Sequence, residues 1–164
     1  MIAMRQSMIW LAVLMAVPGL AAADWRETLK KEAGKQANQK METSLGLAQP
    51  APAGAEVYFI APADGATVKG PVTVQFGLRK MGVAPAGVNQ EGTGHHHLLI
   101  DDPTVDFAQP LPASEQIQHF GGGETETTLT LAPGKHTLQL LLGDWKHQAH
   151  QPPVMSSKIT ITVE

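Results

Sequence analysis

Thr125-Glu126-Thr127-Thr128-Leu129-Thr130-Leu131 and, beyond Pro133-Gly134, His136-Thr137-Leu138-Gln139-Leu140-Leu141-Leu142 decide the fold class. In the first run Thr125, Thr127, Leu129 and Leu131 alternate with Glu126, Thr128 and Thr130. In the second, His136, Leu138, Leu140 and Leu142 form one inward row. A period of two marks a half-buried strand, and Pro-Gly between two such runs marks a turn. The same alternation returns in Ile159, Ile161 and Val163 against Lys158, Thr160 and Thr162.

Upstream the pattern continues. Val72, Val74, Phe76 and Leu78 alternate with Thr73, Gln75 and Gly77. Val57-Tyr58-Phe59-Ile60 reads as a short, largely buried strand, and Asp64-Gly65 and Lys69-Gly70-Pro71 are turn signals around Thr67-Val68. Gly94-His95-His96-His97-Leu98-Leu99-Ile100-Asp101 reads as a strand reached through a long Gly/Ala/Pro connection from Arg79. A second irregular stretch runs from Asp102 to Gln118. About seven short strands without an intervening helix predict an all-β domain, an immunoglobulin-like antiparallel β-sandwich. A jelly roll or small barrel is the alternative. Two familiar marks are missing: the chain has no cysteine for an inter-sheet disulfide, and its one tyrosine, Tyr58, lies on the first strand.

Ahead of this domain, residues 56–164, three segments differ in composition. Arg5, the apolar run Met8–Val17, Pro18-Gly19 and Ala21-Ala22-Ala23 have the layout of a cleavable signal peptide over residues 1–23. The run is shorter than the roughly 20 residues of a membrane span, so no membrane-spanning segment is expected after cleavage. Residues 24–48 read as an amphipathic helical segment, because Trp25, Leu29, Ala33, Ala37, Met41 and Leu45 recur every four residues. Its five basic and four acidic residues nearly balance, which is the mark of a solvated face rather than a binding tail. Residues 49–55, Gln-Pro-Ala-Pro-Ala-Gly-Ala, form a Pro/Ala linker. Export without cysteine predicts a periplasmic protein, with secretion as second choice. A net charge of −3 and the lack of a basic patch argue against nucleic acid as a partner.

Chemistry concentrates in the histidines, all seven of which fall between positions 95 and 150. On a strand His95 and His97 share one face and His96 takes the other. Two imidazoles on one face can converge on one ion, and imidazole is a preferred ligand of zinc and copper. His147-Gln148-Ala149-His150 supplies a second pair. If the strand ending at Gly143 runs antiparallel to the histidine strand, that loop approaches His95. The expected metal set is therefore His95, His97, His147 and His150. His96, His119 and Met155 stand in reserve, Met81 is a further thioether, and Asp101, Asp102 and Asp144 are acids that can orient imidazoles. His136, beside a turn, reads as a structural histidine bonded to a backbone carbonyl. Copper ranks ahead of zinc on the affinity order of first-row divalent metals.

The domain from about Glu56 to Glu164 also resembles a family of exported bacterial proteins known only as a domain of unknown function. The shared landmarks are Pro62-Ala63-Asp64-Gly65, Val83-Ala84-Pro85-Ala86-Gly87, Gly94 through Asp101, and His119-Phe120-Gly121-Gly122-Gly123-Glu124-Thr125. Pro133-Gly134-Lys135-His136-Thr137-Leu138 and Pro152-Pro153-Val154 complete them, and together they span about two thirds of the chain. The resemblance implies no established activity.

The functional expectation rests on the residues themselves. It is a non-enzymatic periplasmic protein that binds copper or zinc for storage, buffering or delivery to an envelope metalloenzyme or membrane transporter. The alternative is a metal-free envelope interaction module in which the histidines are structural. A zinc-dependent hydrolase ranks third, because no Gly-x-Ser-x-Gly elbow, His-Glu-x-x-His helix or phosphate loop occurs in the sequence.

Overall fold

The computed structural model describes residues 24–45 and 47–164. The expected signal peptide, residues 1–23, lies outside the described residues. The chain divides into one unit ending at Lys40 and a second from Met41 to Glu164. Helix α1 covers Asp24–Ser44. Its side chains Trp25, Leu29 and Met41 are exposed, as is Leu45 just beyond it. The Lys30–Glu27 and Lys35–Glu32 pairs, each 3.3 Å, lie in solvent and contribute only a few tenths of a kcal/mol apiece. Among the described residues no helix is long and apolar enough to cross a membrane.

The second unit is built from β1 (Glu56–Ala61), β2 (Thr67–Val68), β3 (Val72–Arg79), β4 (Gly82–Val83), β5 (Thr93–Ile100), β6 (Ile117–Phe120), β7 (Glu126–Leu129), β8 (Gly134–Gly143) and β9 (Ile159–Val163). One sheet has the order β1-β3-β7. The other has the order β2-β9-β8-β5-β4, with β6 also pairing β5. All pairings are antiparallel except β2 with β9 and β4 with β5. Consecutive strands β7 and β8 belong to different sheets, so Pro133-Gly134 carries the chain across the sandwich and does not close a hairpin. This two-sheet order is that of an immunoglobulin-like sandwich, as the alternating pattern predicts.

The inward rows make the core. Val72, Val74 and Phe76 of β3 meet Leu98 and Ile100 of β5, Leu138, Leu140 and Leu142 of β8, and Ile161 of β9. Each such side chain contributes about 1.5–3 kcal/mol when fully buried. Strand β5 is unusual in being buried along all eight residues. Its inner face is covered by the opposing sheet. Its outer face is covered by the connections 101–116 and 144–158, whose Leu111 and Ala149 join Leu99, Ile117 and Leu141 of the strands in a second apolar cluster. The backbone hydrogen bond from Leu111 N–H to His147 O (2.6 Å) ties these two coverings together.

The segment Gln49–Ala51, ahead of β1, runs beside the second covering loop. Ala51 N–H donates to Gln151 O and Gln151 N–H donates to Gln49 O, both at 2.9 Å. Gln49 is buried, and its side-chain Nε2 donates to Asn89 Oδ1 at 2.7 Å.

Candidate metal centre

Strand pleating alone sorts the histidine triplet. His96 points into the inter-sheet core, where its ring lies 5.1 Å from that of Phe76 and its Nδ1 is 3.3 Å from the Glu124 carbonyl. His95 and His97 point to the outer face, with ring centroids 4.9 Å apart, and both are fully buried.

Register then brings the partners. In the β5–β6 pair His97 sits opposite His119, and in the β5–β8 pair His95 sits opposite Gly143. The chain leaving Gly143 turns through Asp144–Gln148 and returns His147 over the cluster. The His147 ring lies 4.9 Å from His95, 4.7 Å from His119 and 6.2 Å from His97. His119 closes the group at 4.9 Å from His95 and 5.1 Å from His97. Three sheet imidazoles thus lie together, with one loop imidazole beside them.

Glycines make the room. A Cβ at Gly143 would lie 2.7 Å from His97 Cε1 and 3.1 Å from its Nδ1. A Cβ at Gly121 would lie 2.6 Å from His119 Nε2. Both rings occupy space that a side chain would otherwise fill.

The His147 loop is held by a fully buried carboxylate. Asp144 Oδ1 accepts from Lys146 N–H (2.8 Å) and Gln148 N–H (3.0 Å), and Oδ2 accepts from Gln49 N–H (3.4 Å). Asp144 N–H donates to Gln148 O and His147 N–H donates to Asp144 O, at 2.8 and 2.9 Å. This clamp keeps His147 at φ 68°, a left-handed conformation costing on the order of 1 kcal/mol that persists only where the surroundings enforce it.

Electrostatics follow from burial. Desolvation, then the neighbouring imidazoles His119 and His147, push His95 down to about 4. Desolvation, then His95, His119 and His147, push His97 down to about 3. His119 is also lowered, first by burial and then by His147, with Glu124 opposing. At neutral pH the buried pair is therefore uncharged and carries lone pairs suited to a metal. Neither ring nitrogen of His95 or His97 makes a well-formed hydrogen bond, the one approach being between His97 and the His95 backbone. His119 Nε2 and His147 Nε2 lie 3.1 Å apart, one ring donating and the other accepting. Two donors on a tetrahedral ion with bonds of 2.0–2.1 Å are separated by roughly 3.3 Å. One donor nitrogen from each of His95, His97 and His119 falls within 4.8 Å of the others, near that spacing but wider. This histidine cluster can hold a metal ion.

Several expected ligands lie elsewhere. His150 does not join His147: its Nδ1 and Nε2 face the carbonyls of Leu142 (3.4 Å) and Thr93 (3.2 Å), and its ring stacks on Gly94. Met155 packs against the outer apolar cluster and Met81 against the inter-sheet core, so both thioethers serve packing. Asp101 pairs with His136 (2.9 Å) and Asp102 with Lys158, away from the cluster. Asp144 acts on the loop backbone and not on an imidazole. His136 also faces the Ala132 carbonyl at 2.9 Å, the structural arrangement its position predicts. His119 moves from reserve into the centre of the group. The signal for it was Ile117-Gln118-His119-Phe120, a short alternating run hidden at the end of a proline-rich stretch.

The comparisons with known proteins give a family but no chemistry. A family model described as Domain of unknown function (DUF4399) matches residues 74–164. The chain belongs to that family. The matched span contains every histidine of the cluster and Asp144, whereas β1, β2 and the Gln49 segment precede it. No curated protein matches the sequence. Similar solved structures include two at low identity. One is the endo-beta-1,4-mannanase from Thermotoga petrophila, at 18% identity and a TM-score of 0.37, over 67% of this chain and 20% of the mannanase. The chain thus spans a fifth of that protein's length. The other comprises fibronectin(III)-like modules of Clostridium thermocellum CbhA, at 11% identity and a TM-score of 0.33, over 65% of this chain and 92% of that one. Neither likeness bears on activity.

Proposed function

We propose that this protein binds a transition metal, copper ahead of zinc, through His95, His97, His119 and His147. One observation carries this reading: the ring nitrogens of His95 and His97 are buried without a well-formed hydrogen bond and face two further imidazoles. Leaving a buried polar group unsatisfied costs about 1–3 kcal/mol, and a purely structural histidine avoids that cost by bonding a carbonyl. His136 and His150 do so; His95 and His97 make no well-formed bond of that kind.

Its role would be storage, buffering or delivery to an envelope metalloenzyme or transporter. A periplasmic location is part of the proposal and rests on the signal-like composition of residues 1–23. We read the protein as a carrier and not an enzyme, because four imidazoles saturate a tetrahedral ion, whereas catalytic zinc keeps one position open.

Calorimetric titration of the purified protein with copper and with zinc tests this. One equivalent bound more tightly than micromolar, and lost in His95→Ala/His97→Ala, is the expected result. No binding tighter than micromolar in the parent overturns it. Tight binding unaltered in the double variant keeps a metal but moves it away from this cluster.

A further inference from the structure

We infer that residues 47–51, the segment leading into β1, are a latch on the metal site. Docked, they fix the loop that presents His147; undocked, they lower the affinity for metal. The inference rests on the metal reading above and concerns how that site is regulated. It starts from where the segment binds. At the start of the His147 loop, Gln49 N–H donates to Asp144 Oδ2 at 3.4 Å. At its end, Ala51 N–H donates to Gln151 O and Gln151 N–H donates to Gln49 O, both at 2.9 Å. Lys146 Nζ reaches the Leu47 carbonyl at 3.5 Å. His147 thus lies between the points at which the segment grips its loop.

Asp144 transmits the grip. Its Oδ1 takes the N–H groups of Lys146 and Gln148, the residues on either side of His147. The carboxylate is fully buried, and Gln49, itself buried, supplies the contact at Oδ2. A buried carboxylate is tolerated only while its oxygens are hydrogen-bonded. Lifting Gln49 away opens Oδ2 to water, which then competes for the Oδ1 bonds that shape the turn. His147 stands at φ 68°, a conformation the surroundings must enforce, so it relaxes once that clamp loosens.

The segment is suited to undock. Leu47 and Pro50 are exposed, and of residues 47–51 only Gln49 is buried. A cavity of about 480 Å³ is lined by Leu47 and Pro50 of the segment together with Phe107 and Gln148. Attachment is therefore by hydrogen bonds more than by packing, and such segments open locally at low cost. The coupling is reciprocal: bound metal resists undocking by the factor by which undocking weakens the metal. The latch also precedes residues 74–164, the span of the family match that carries the cluster.

The test uses the full chain with zinc(II), a diamagnetic probe, and reads amide exchange by nuclear magnetic resonance. Saturating zinc should slow exchange of the Gln49 and Ala51 N–H groups about fivefold or more, the lower end of typical coupling. The Gly65 N–H, held by Thr160 O in another turn, should keep its rate. Ala51→Pro removes one latch N–H without touching a histidine and should weaken zinc binding by a similar factor. Ala51→Ser, which keeps that N–H, should not. In an Asp144→Ala background the effect of Ala51→Pro on affinity should vanish. Unchanged exchange at Gln49 and Ala51, or slowing shared equally by Gly65, overturns the inference while the metal reading stands. Parental zinc affinity in a folded Ala51→Pro variant does the same, as does a loss that persists in full without Asp144. If zinc does not bind through His95 and His97 the inference falls; if copper does not either, the metal reading falls with it.

Discussion

His97 on β5 and His119 on β6 face each other in antiparallel register, with their rings 5.1 Å apart. This cross-strand pair turns a linear motif into a cluster, because His95 stands two residues along the same face. His150, only three residues from His147, is turned to carbonyls. Replacing His119 with Ala should therefore weaken metal binding by roughly 100-fold, at least the upper end of what losing a supporting residue costs. His150→Ala should leave metal affinity within a few-fold and lower stability instead. Competition with a chromophoric chelator, beside urea unfolding, reads both.

A site kept for a ligand and not for the fold should be a burden when that ligand is withheld. His95→Leu/His97→Leu removes four ring nitrogens that lack a well-formed hydrogen bond from an apolar environment. The metal-free variant should be more stable than the metal-free parent, by about 1–3 kcal/mol in all. Chemical denaturation in the presence of a chelator measures this. A loss of stability would instead mark the pair as structural.

The same burial sets a pH dependence. The folded values of about 4 for His95 and about 3 for His97 lie below the ordinary 6.5 that the unfolded chain retains. As pH falls below 6.5 the unfolded state takes up protons that the folded state refuses, so the metal-free protein loses stability. Each histidine contributes up to about 1.4 kcal/mol per pH unit until its folded value is reached, after which the slope ends. His136 acts in the opposite sense, since the Ala132 carbonyl and Asp101 raise it and its contribution fades as pH rises. Comparing the parent with His95→Leu/His97→Leu isolates the pair, and the variant should have the flatter acid limb.

Asp144 and Gly143 set the position of the loop ligand and of the sheet ligand. Asp144→Ala leaves the N–H groups of Lys146, Gln148 and Gln49 without their acceptor and should cost about 1–3 kcal/mol. It should also weaken metal binding by about tenfold to 100-fold through His147. Gly143→Ala drives a methyl against the His97 ring and should lower affinity while the circular dichroism of the sheets is retained. In a background lacking His95 and His97 the affinity effect of Asp144→Ala should vanish and its stability effect persist.

The sandwich was legible because its strands carry a two-residue period: the leucine row of β8 and the isoleucine row of β9 bury as that period requires. The face on which each β5 histidine lies followed from pleating alone. The composition of the site was legible only in part. His119 depended on recognising a four-residue strand after three prolines, and its pairing with His97 is a register, which local pattern does not encode. His150 was misplaced because proximity in sequence to His147 says nothing about a loop that reverses between them. The burial of β5 on its outer face came from irregular segments whose cover, Leu111 and Ala149, has no periodicity to read.

Crystals of the copper-loaded protein, measured at the copper absorption edge, test the four-imidazole centre most directly. One anomalous peak is predicted at bonding distance, roughly 2.0–2.2 Å, from one nitrogen each of His95, His97, His119 and His147. A peak at His136, His150 or the protein surface, or no peak within reach of the His95 and His97 rings, would contradict it.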